Sequence, residues 1–539
     1  MRVWLFNLGG CLFCLVAMCV VPANADGLGG NKVKKKPKAN VAAPETSSSQ
    51  SESISLTTHS SEARMLYKTG IDAWETLQTD SALKRWRTAT NVDPEFALAH
   101  LLISYCTPDP SEAKSEREKA NSLLPHVTVG EGLMIAWFTG VRENDYLSGI
   151  AAMNDLVRFY PKDKDILVWA GSWLFRQKEY ELAQKRLEEA SAIDPSFAPP
   201  LNDLGYIYAY RKDYEHAFAV MKRYVELMPS EPNPEDSYAE ILRMAGQYDD
   251  AIQHYRLALN IDPDFHSSQI GIADTYTLIG DQAKARREYF NARVLATDKM
   301  TELQDRLQSA FTYVRERDFA GADLAFQGVA QQAQHAGFAV IEAEAWRMRA
   351  RVQFINTVAD LTDVKGSIAT KHFGFLPKKQ TKPMELEYLA QAEQALKGAK
   401  AISESDRQDE LAILLRERVE VLAGRGRFAE AEVVLQQLAT MANNSPSSAI
   451  QTAYNGAEGT VLVYQTNYNQ AAAFLERDDE NAFSQFRLAY ARKQTGASSS
   501  VESSGIMQFN EATAEQAFLS LLNKAASDPN GVKIGPRGQ

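Results

Sequence analysis

Between residues 164 and 263, apolar side chains fall three and four apart in runs of about a dozen residues, the spacing that gathers them on one face of an α-helix. The runs come in pairs. Gly171, Ala183, Ala190 and Pro195 are separated by 12, 7 and 5 residues. Gly205, Ala217, Tyr224 and Pro229 keep that spacing, as do Ala239, Ala251, Ala258 and Pro263, so the prolines recur every 34 residues. Gly205 and Ala217 are small because two helices of one pair cross closely there, with Tyr208 and Met221 filling the groove beside the crossing. Pro229 ends the second helix, since proline cannot continue the hydrogen-bond ladder. A fixed period of helical pairs predicts a solenoid of stacked hairpins, none of which can bury its apolar face alone.

The beat extends in both directions. Gly70, Ala82, Ala89 and Pro94 repeat it, with Trp86 at the large site. A unit broken by Pro108 and Pro110 follows, then a looser one marked by Trp137, Gly149 and Leu156. Ala273, Ala285 and Ala292 continue the register, and Ala310, Ala322 and Val329 make a further degenerate unit. The first array is thus placed at 61–335. Residues 336–383 read as a long irregular helix plus an inserted loop, Thr362–Pro383, which carries His372, Phe373 and Phe375. A second, degenerate array occupies 384–494, with Val419, Ala431 and Leu438, then Gly459, Ala471 and Asp478, at the 12 and 7 spacing and Gly426 at a turn. Residues 495–539 read as a loose Ser-rich segment, a capping helix over Glu511–Ala526 and a tail. The acidic pairs Asp249-Asp250 and Asp478-Asp479 are expected to cap helices by accepting backbone N–H bonds.

The motif Leu201-x2-Leu204-Gly205-x2-Tyr208, followed by Ala217 and Pro229, resembles the tetratricopeptide repeat family closely. The resemblance implies an all-α fold, a right-handed superhelix (α-solenoid) of stacked hairpins that serves as an interaction scaffold and fixes no single partner. It also implies that the first helix of each hairpin lines a concave groove. By helical spacing, the groove of the central repeats is expected to present Trp169, Ser172 and Arg176, then Asn202, Tyr206 and Tyr210, then Asp236, Glu240 and Arg243, and finally Asp274. Arg176, Tyr206, Tyr210 and Arg243 are the expected anchors, since Tyr and Arg are common hot spots. The set lacks the Lys/Asn/Arg clamp with which some members of that family hold a peptide C-terminus.

The remaining sequence bears on location and chemistry. Met1–Ala25 reads as a signal peptide, with Arg2, an apolar run from Cys11 to Val21 and the small-x-small site Ala23-Asn24-Ala25. The expected mature chain starts at Asp26, has no transmembrane span and is periplasmic or secreted. Residues 26–60 read as a disordered linker with a lysine cluster. The mature chain keeps one cysteine, Cys106, expected to be buried and inert. A net charge of −11 and a pI near 5.4 argue against nucleic acid as the partner. The sequence has no phosphate-binding loop, no HExxH pair and no GxSxG elbow, and its histidines lack ligand spacing, so no enzyme activity, cofactor or metal is expected. Glu502 to Gln508 looks like fused pieces of the lytic transglycosylase signature, but only 31 residues follow it, too few for that family's catalytic domain. The expected function is a non-catalytic protein- or peptide-binding scaffold of the cell envelope. The alternative is an envelope glycan-binding or glycan-processing protein that uses the groove or the 362–383 loop.

Overall fold

The structure, a computed structural model, describes residues 53–364, 383–496 and 517–518, apart from 76–77, 108, 143–144, 400–401, 403, 446 and 480. The expected signal peptide, most of the linker, nearly all of the Thr362–Pro383 loop and most of 495–539 lie outside the described residues. Two compact units divide the chain, one ending at Ile241 and the other beginning at Leu242.

In the first unit the helices are α1 (Ser61–Glu75), α2 (Thr79–Val92), α3 (Ala97–Cys106), α4 (Pro110–Ser122), α5 (Val129–Arg142), α6 (Tyr146–Phe159), α7 (Lys164–Arg176), α8 (Tyr180–Ile193), α9 (Pro199–Tyr210) and α10 (Tyr214–Leu227). The unit boundary falls within α11 (Pro232–Met244). The second unit continues with α12 (Tyr248–Ile261), α13 (His266–Ile279), α14 (Gln282–Leu295), α15 (Lys299–Glu316), α16 (Phe319–Ala336), α17 (Ala339–Val364), α18 (Met384–Gly398), α19 (Glu404–Gly424), α20 (Phe428–Asn444), α21 (Ser448–Tyr464), α22 (Tyr468–Leu475) and α23 (Ala482–Gln494). Among the described residues there is no strand, and each unit is an α-solenoid of hairpins packed on their sequence neighbours.

Local chemistry sets the hairpin ends. Asp163, Asp213, Asp281 and Asp318 stand before helices and accept from backbone N–H groups three residues on, at 3.2, 3.3, 3.0 and 2.9 Å. The left-handed residue that reverses the chain recurs at Lys178, Lys212, Gly246 and Gly280, every 34 positions. At the first two the turn holds lysine at φ 63° and 61°, a conformation that costs a non-glycine residue about 1 kcal/mol or more.

The small positions are small for the expected reason. A Cβ on Gly205 would lie 1.9 Å from Met221 Cε, and one on Gly70 would lie 2.3 Å from the Trp86 indole nitrogen. Trp86 itself is fully buried and donates to the Tyr67 carbonyl at 3.1 Å. Cys106 is buried.

Two expectations need correction. The linker was placed through residue 60, but residues 53–60 are fastened to the first unit. Ile54 packs against its core, Ser55 accepts from the Thr128 hydroxyl at 2.9 Å, and Thr58 donates to Asp93 at 2.5 Å. The Thr57 amide and hydroxyl both donate to Glu131, a fully buried carboxylate on α5. A polar segment docks here because buried acids on the helices await its donors, a cue that composition does not carry. The acidic pairs are the second correction. The residue before α12 is Gln247, and Asp249 and Asp250 lie inside its first turn, where they favour the positive end of the helix without capping it. Asp478 is 2% exposed and sits in the core as an ion-pair partner.

Candidate functional site

The inner face of the first unit is built by alternate helices of the stack. Trp74 of α1, Tyr105 of α3, Phe138 of α5 and Trp169 of α7 meet there. Trp74 and Trp169 are 5.6 Å apart, Trp74 and Tyr105 6.0 Å, Tyr105 and Phe138 4.7 Å. Most of these rings meet edge to face, the arrangement their quadrupoles favour.

Carboxylates border this cluster. Glu75, at the end of α1, has a buried oxygen, Oε1, that makes no hydrogen bond among the described residues. Burial pushes its pKa up to about 9, helped by the charges of Asp165 and Asp72, with the nearby Trp169 indole and Lys164 working the other way. Asp165 on α7 is raised to about 6, first by burial and then by Asp163. Lys164 and, less strongly, Lys68 pull Asp165 the other way, but the Lys164 ammonium is engaged with Asp194 at 2.6 Å and lies over the Phe197 ring. At neutral pH the Glu75 carboxyl therefore holds its proton, and it sits beside an acid that is partly ionised. Such a face has hydrogen-bond donors, exposed negative charge at its edge and apolar rings, and it would gain by receiving a cation.

The sequence-derived groove residues divide. Trp169 joins the aromatic cluster. The Ser172 hydroxyl donates to Asp203 on the next hairpin, and exposed Arg176 carries its charge near the same acid. Asn202 is half-buried, with its Oδ1 making no hydrogen bond among the described residues. The Tyr206 hydroxyl donates to Glu240 at 2.7 Å, and burial together with Glu240 and Asp236 raises its pKa well above the usual phenol value. Tyr210 stacks on Tyr180 and tilts against Phe175, with centroids 6.1 and 5.9 Å apart.

Arg243 and Asp274, both in the second unit, do not project from the surface as expected. Arg243 is 1% exposed. Counted from the small residue of its hairpin it stands at position four (243 − 239), the place of Phe175 (175 − 171), which packs inward. Arg176 and Tyr210 stand at position five, so the assignment was one residue short. Asp274, 4% exposed, accepts from the Tyr289 hydroxyl at 2.5 Å within its own hairpin. Glu75 also stands at position five (75 − 70), so the register used for the central repeats would have found it.

The second unit hides a different array. Arg347 of α17 pairs with Glu410 at 3.0 Å and with Glu417 at 3.1 Å, both on α19. Arg351 reaches Glu417 at 3.1 Å and Glu420 at 3.9 Å. Glu420 also receives Arg416 and Arg487, each at 3.1 Å, and Arg416 reaches Asp478 at 2.8 Å. Burial alone would raise the Glu420 pKa, but Arg487, Arg416 and Arg351 together hold it down at about 2. Four arginines face four acids, so the ladder is neutral and offers no surplus charge to a ligand. Sequence reasoning missed it because WRMRAR on α17 reads as a solvated face. The available signal was a pair of arginines at i and i+4 on one helix with glutamates at 410, 417 and 420 on another. Among the described residues no group of side chains has metal-ligand geometry, and no helix is long and apolar enough to cross a membrane.

Residues 237–265, which run from α11 through α12 to the turn after it, match the sequence profile of the tetratricopeptide repeat. The chain thus carries a tetratricopeptide repeat. Repeats of this kind build surfaces for protein interaction, and the chain is a scaffold in that general sense. No curated protein matches it. Among solved structures it is similar to a tetratricopeptide repeat protein from Parabacteroides merdae ATCC 43184, at 15% identity over 51% of this chain and 94% of that one, with a TM-score of 0.33. It is also similar to MamA from Desulfovibrio magneticus RS-1, at 14% identity over 31% and 94% with a TM-score of 0.28. A third similar structure is pilF of Pseudomonas aeruginosa, at 18% identity over 45% and 96% with a TM-score of 0.25.

Proposed function

We propose that this tetratricopeptide repeat protein is an exported, non-catalytic scaffold of the cell envelope that takes a protein or peptide partner on the inner face of its first unit. The observation that carries the reading is the pairing of Glu75 and Asp165 around Trp74 and Trp169. Their raised pKa values mark a place where burial opposes negative charge, and among the described residues no arginine pairs with either acid. A partner lysine or arginine beside an apolar residue would neutralise Asp165, allow Glu75 to ionise and cover the rings. Arg176 and Tyr210 extend the same face along the stack.

An immobilised array of random twelve-residue peptides tests this with the full mature chain. The expected result is selection of peptides that place a basic residue next to an aromatic or aliphatic one. The Glu75→Gln/Asp165→Asn double variant, with unchanged circular dichroism, should lose the selection. Equal selection by the double variant, or none by the wild type, removes this face from consideration. Export is proposed on the apolar run and the Ala23-Asn24-Ala25 site. Intact-mass measurement of protein recovered from the envelope should give a chain starting at Asp26, and a mass retaining Met1 would refute cleavage.

A further inference from the structure

The second unit contains a contact made across a long stretch of sequence. Phe518 is 0% exposed, and so is Ala517. The Phe518 ring meets Phe311 of α15 edge-on, with centroids 6.3 Å apart, and Arg351 of α17 places its guanidinium 5.8 Å from the centre of the same ring. Arg351 also covers Phe483 of α23 at 4.3 Å, so one guanidinium is shared between two aromatic faces. Both phenylalanines belong to the apolar cluster of α15, α16 and α17.

Phe311 is the informative partner. It follows Ala310, the small residue of its hairpin, as Tyr206 follows Gly205 and Ser172 follows Gly171. This is the position from which Ser172 and Tyr206 reach the next hairpin along the inner face. In the second unit that position is an aromatic ring covered by a residue 207 places later in the chain (518 − 311). The sequence around Phe518 carries apolar residues at Ala514, Ala517, Phe518, Leu521, Leu522 and Ala525, with Glu511, Glu515, Gln516, Ser520 and Lys524 between them and one large apolar residue, Leu519, outside the stripe. That is the i, i+3, i+4, i+7 pattern with which an amphipathic helix lays its apolar side into a groove.

We propose that the surface formed by Phe311, Arg351 and Phe483 is a helix-docking site whose resident ligand is the chain's own C-terminal segment, anchored by Phe518. The surface therefore accepts an amphipathic helix with an aromatic anchor, and the tether keeps the resident segment at high local concentration against any competitor. The proposal rests on the scaffold reading but on a different surface from the acidic face of the first unit, so either can fail alone.

The test keeps the whole chain. A protease-recognition sequence is inserted between Ser499 and Ser500, the protein is folded intact, and half is then cleaved. A fluorescent peptide of residues 511–526 is titrated into both forms. Cleaved protein should take up the peptide and release its own segment, and uncut protein should bind it at least about tenfold more weakly, because the tethered segment competes. A peptide with Phe518→Ala should bind the cleaved form at least about tenfold more weakly than the wild-type peptide. Retention of the native segment against excess peptide would overturn the proposal and make the segment a fixed cap. So would loss of helical signal on cleavage, equal uptake by cut and uncut protein, or equal binding of the alanine peptide.

Discussion

Glu75, half-buried, and Glu420, buried, are carboxyl groups on helical hairpins of one design, yet their environments drive them to opposite ends of the scale. Glu75 has rings and other acids around it, and its pKa rises to about 9. Glu420 has three arginines within 4 Å, and its pKa falls to about 2. The repeat framework is indifferent to the choice, because hairpin packing depends on small residues at the crossings and apolar ones beside them. What fills the remaining inner positions is free to vary. The second unit closes the charges of its ladder on one another, and the first leaves Glu75 and Asp165 for something else to satisfy. A satisfied array holds helices in place. An unsatisfied one is where binding energy can still be gained.

The sharpest way to break this comparison is to unbalance the ladder. Glu420→Ala removes the acid that Arg351, Arg416 and Arg487 share and leaves one buried and two half-buried arginines with one partner fewer. The expected cost is about 3–5 kcal/mol, the range for breaking a buried pair from one side. Hydrogen exchange followed by mass spectrometry should show faster exchange in α17, α19 and α23, with α1 to α9 unchanged. Wild-type protection in those three helices would mean that the ladder tolerates excess positive charge and is not the fastening it appears from its distances.

How far the sequence carried this picture depends on what each residue answers to. The hairpins were legible because Gly205, Ala217, Met221 and Trp86 answer to packing within one repeat, and packing leaves a period. Ala310, next to Phe311, and Asp478 were placed as repeat positions for the same reason, although the ring of Phe311 itself was not singled out. Their partners were not legible, because the acid of Asp478 and the ring of Phe518 answer to residues dozens or hundreds of positions away. Asp478 fell at the expected 7-residue step after Ala471, where an apolar residue is normal, and that misfit was the available clue. Arg243 shows a narrower failure. On a helix one position is 100°, enough to turn a groove residue into a packed one. The strap at residues 53–60 was lost for a third reason: its polar composition resembles a linker, and only the buried Glu131 across from it shows why it is ordered.

A second test sharpens the comparison through pH. The folded pKa of Glu75 lies above its unfolded value of about 4.5, so between pH 4.5 and 9 the folded state holds a proton that the unfolded state releases. Stability of the first unit from this group is fully present below pH 4.5 and declines as pH rises toward 9. Glu420 has the reverse sign. Its contribution is present above about 4.5 and is lost as pH falls toward 2. Glu75→Gln should therefore stabilise the first unit at pH 8 by several kcal/mol, on the order of 5 at most, and the gain should vanish near pH 4.5. Thermal unfolding of wild type and variant at both pH values measures it. A gain of equal size at both would point to packing of the amide, and the claim that the first unit carries an uncompensated acid would be wrong.

The smallest expected effect concerns a carboxylate that is buried by yet another route. Glu131 in the first unit has no arginine among its hydrogen-bond partners, but it is not short of donors either. It accepts from the Thr57 amide at 2.9 Å, from the Thr57 hydroxyl, and from the Thr128 amide and hydroxyl at 3.0 and 3.1 Å. Thr57→Val keeps the shape and the amide bond and deletes one donor. Because three contacts remain, the cost should be about 1 kcal/mol, that of a single hydrogen bond. It should also be local: residues 53–60 and the start of α5 should exchange faster, with α7 and α9 unaffected. If the strap stays protected, Ile54 and its apolar contacts hold it and the acid is incidental. If protection is lost as far as Glu75 and Trp169, the strap supports the inner face itself. The acids of the first unit would then form one connected system, as those of the second unit do, and the contrast between the two would be one of sign alone.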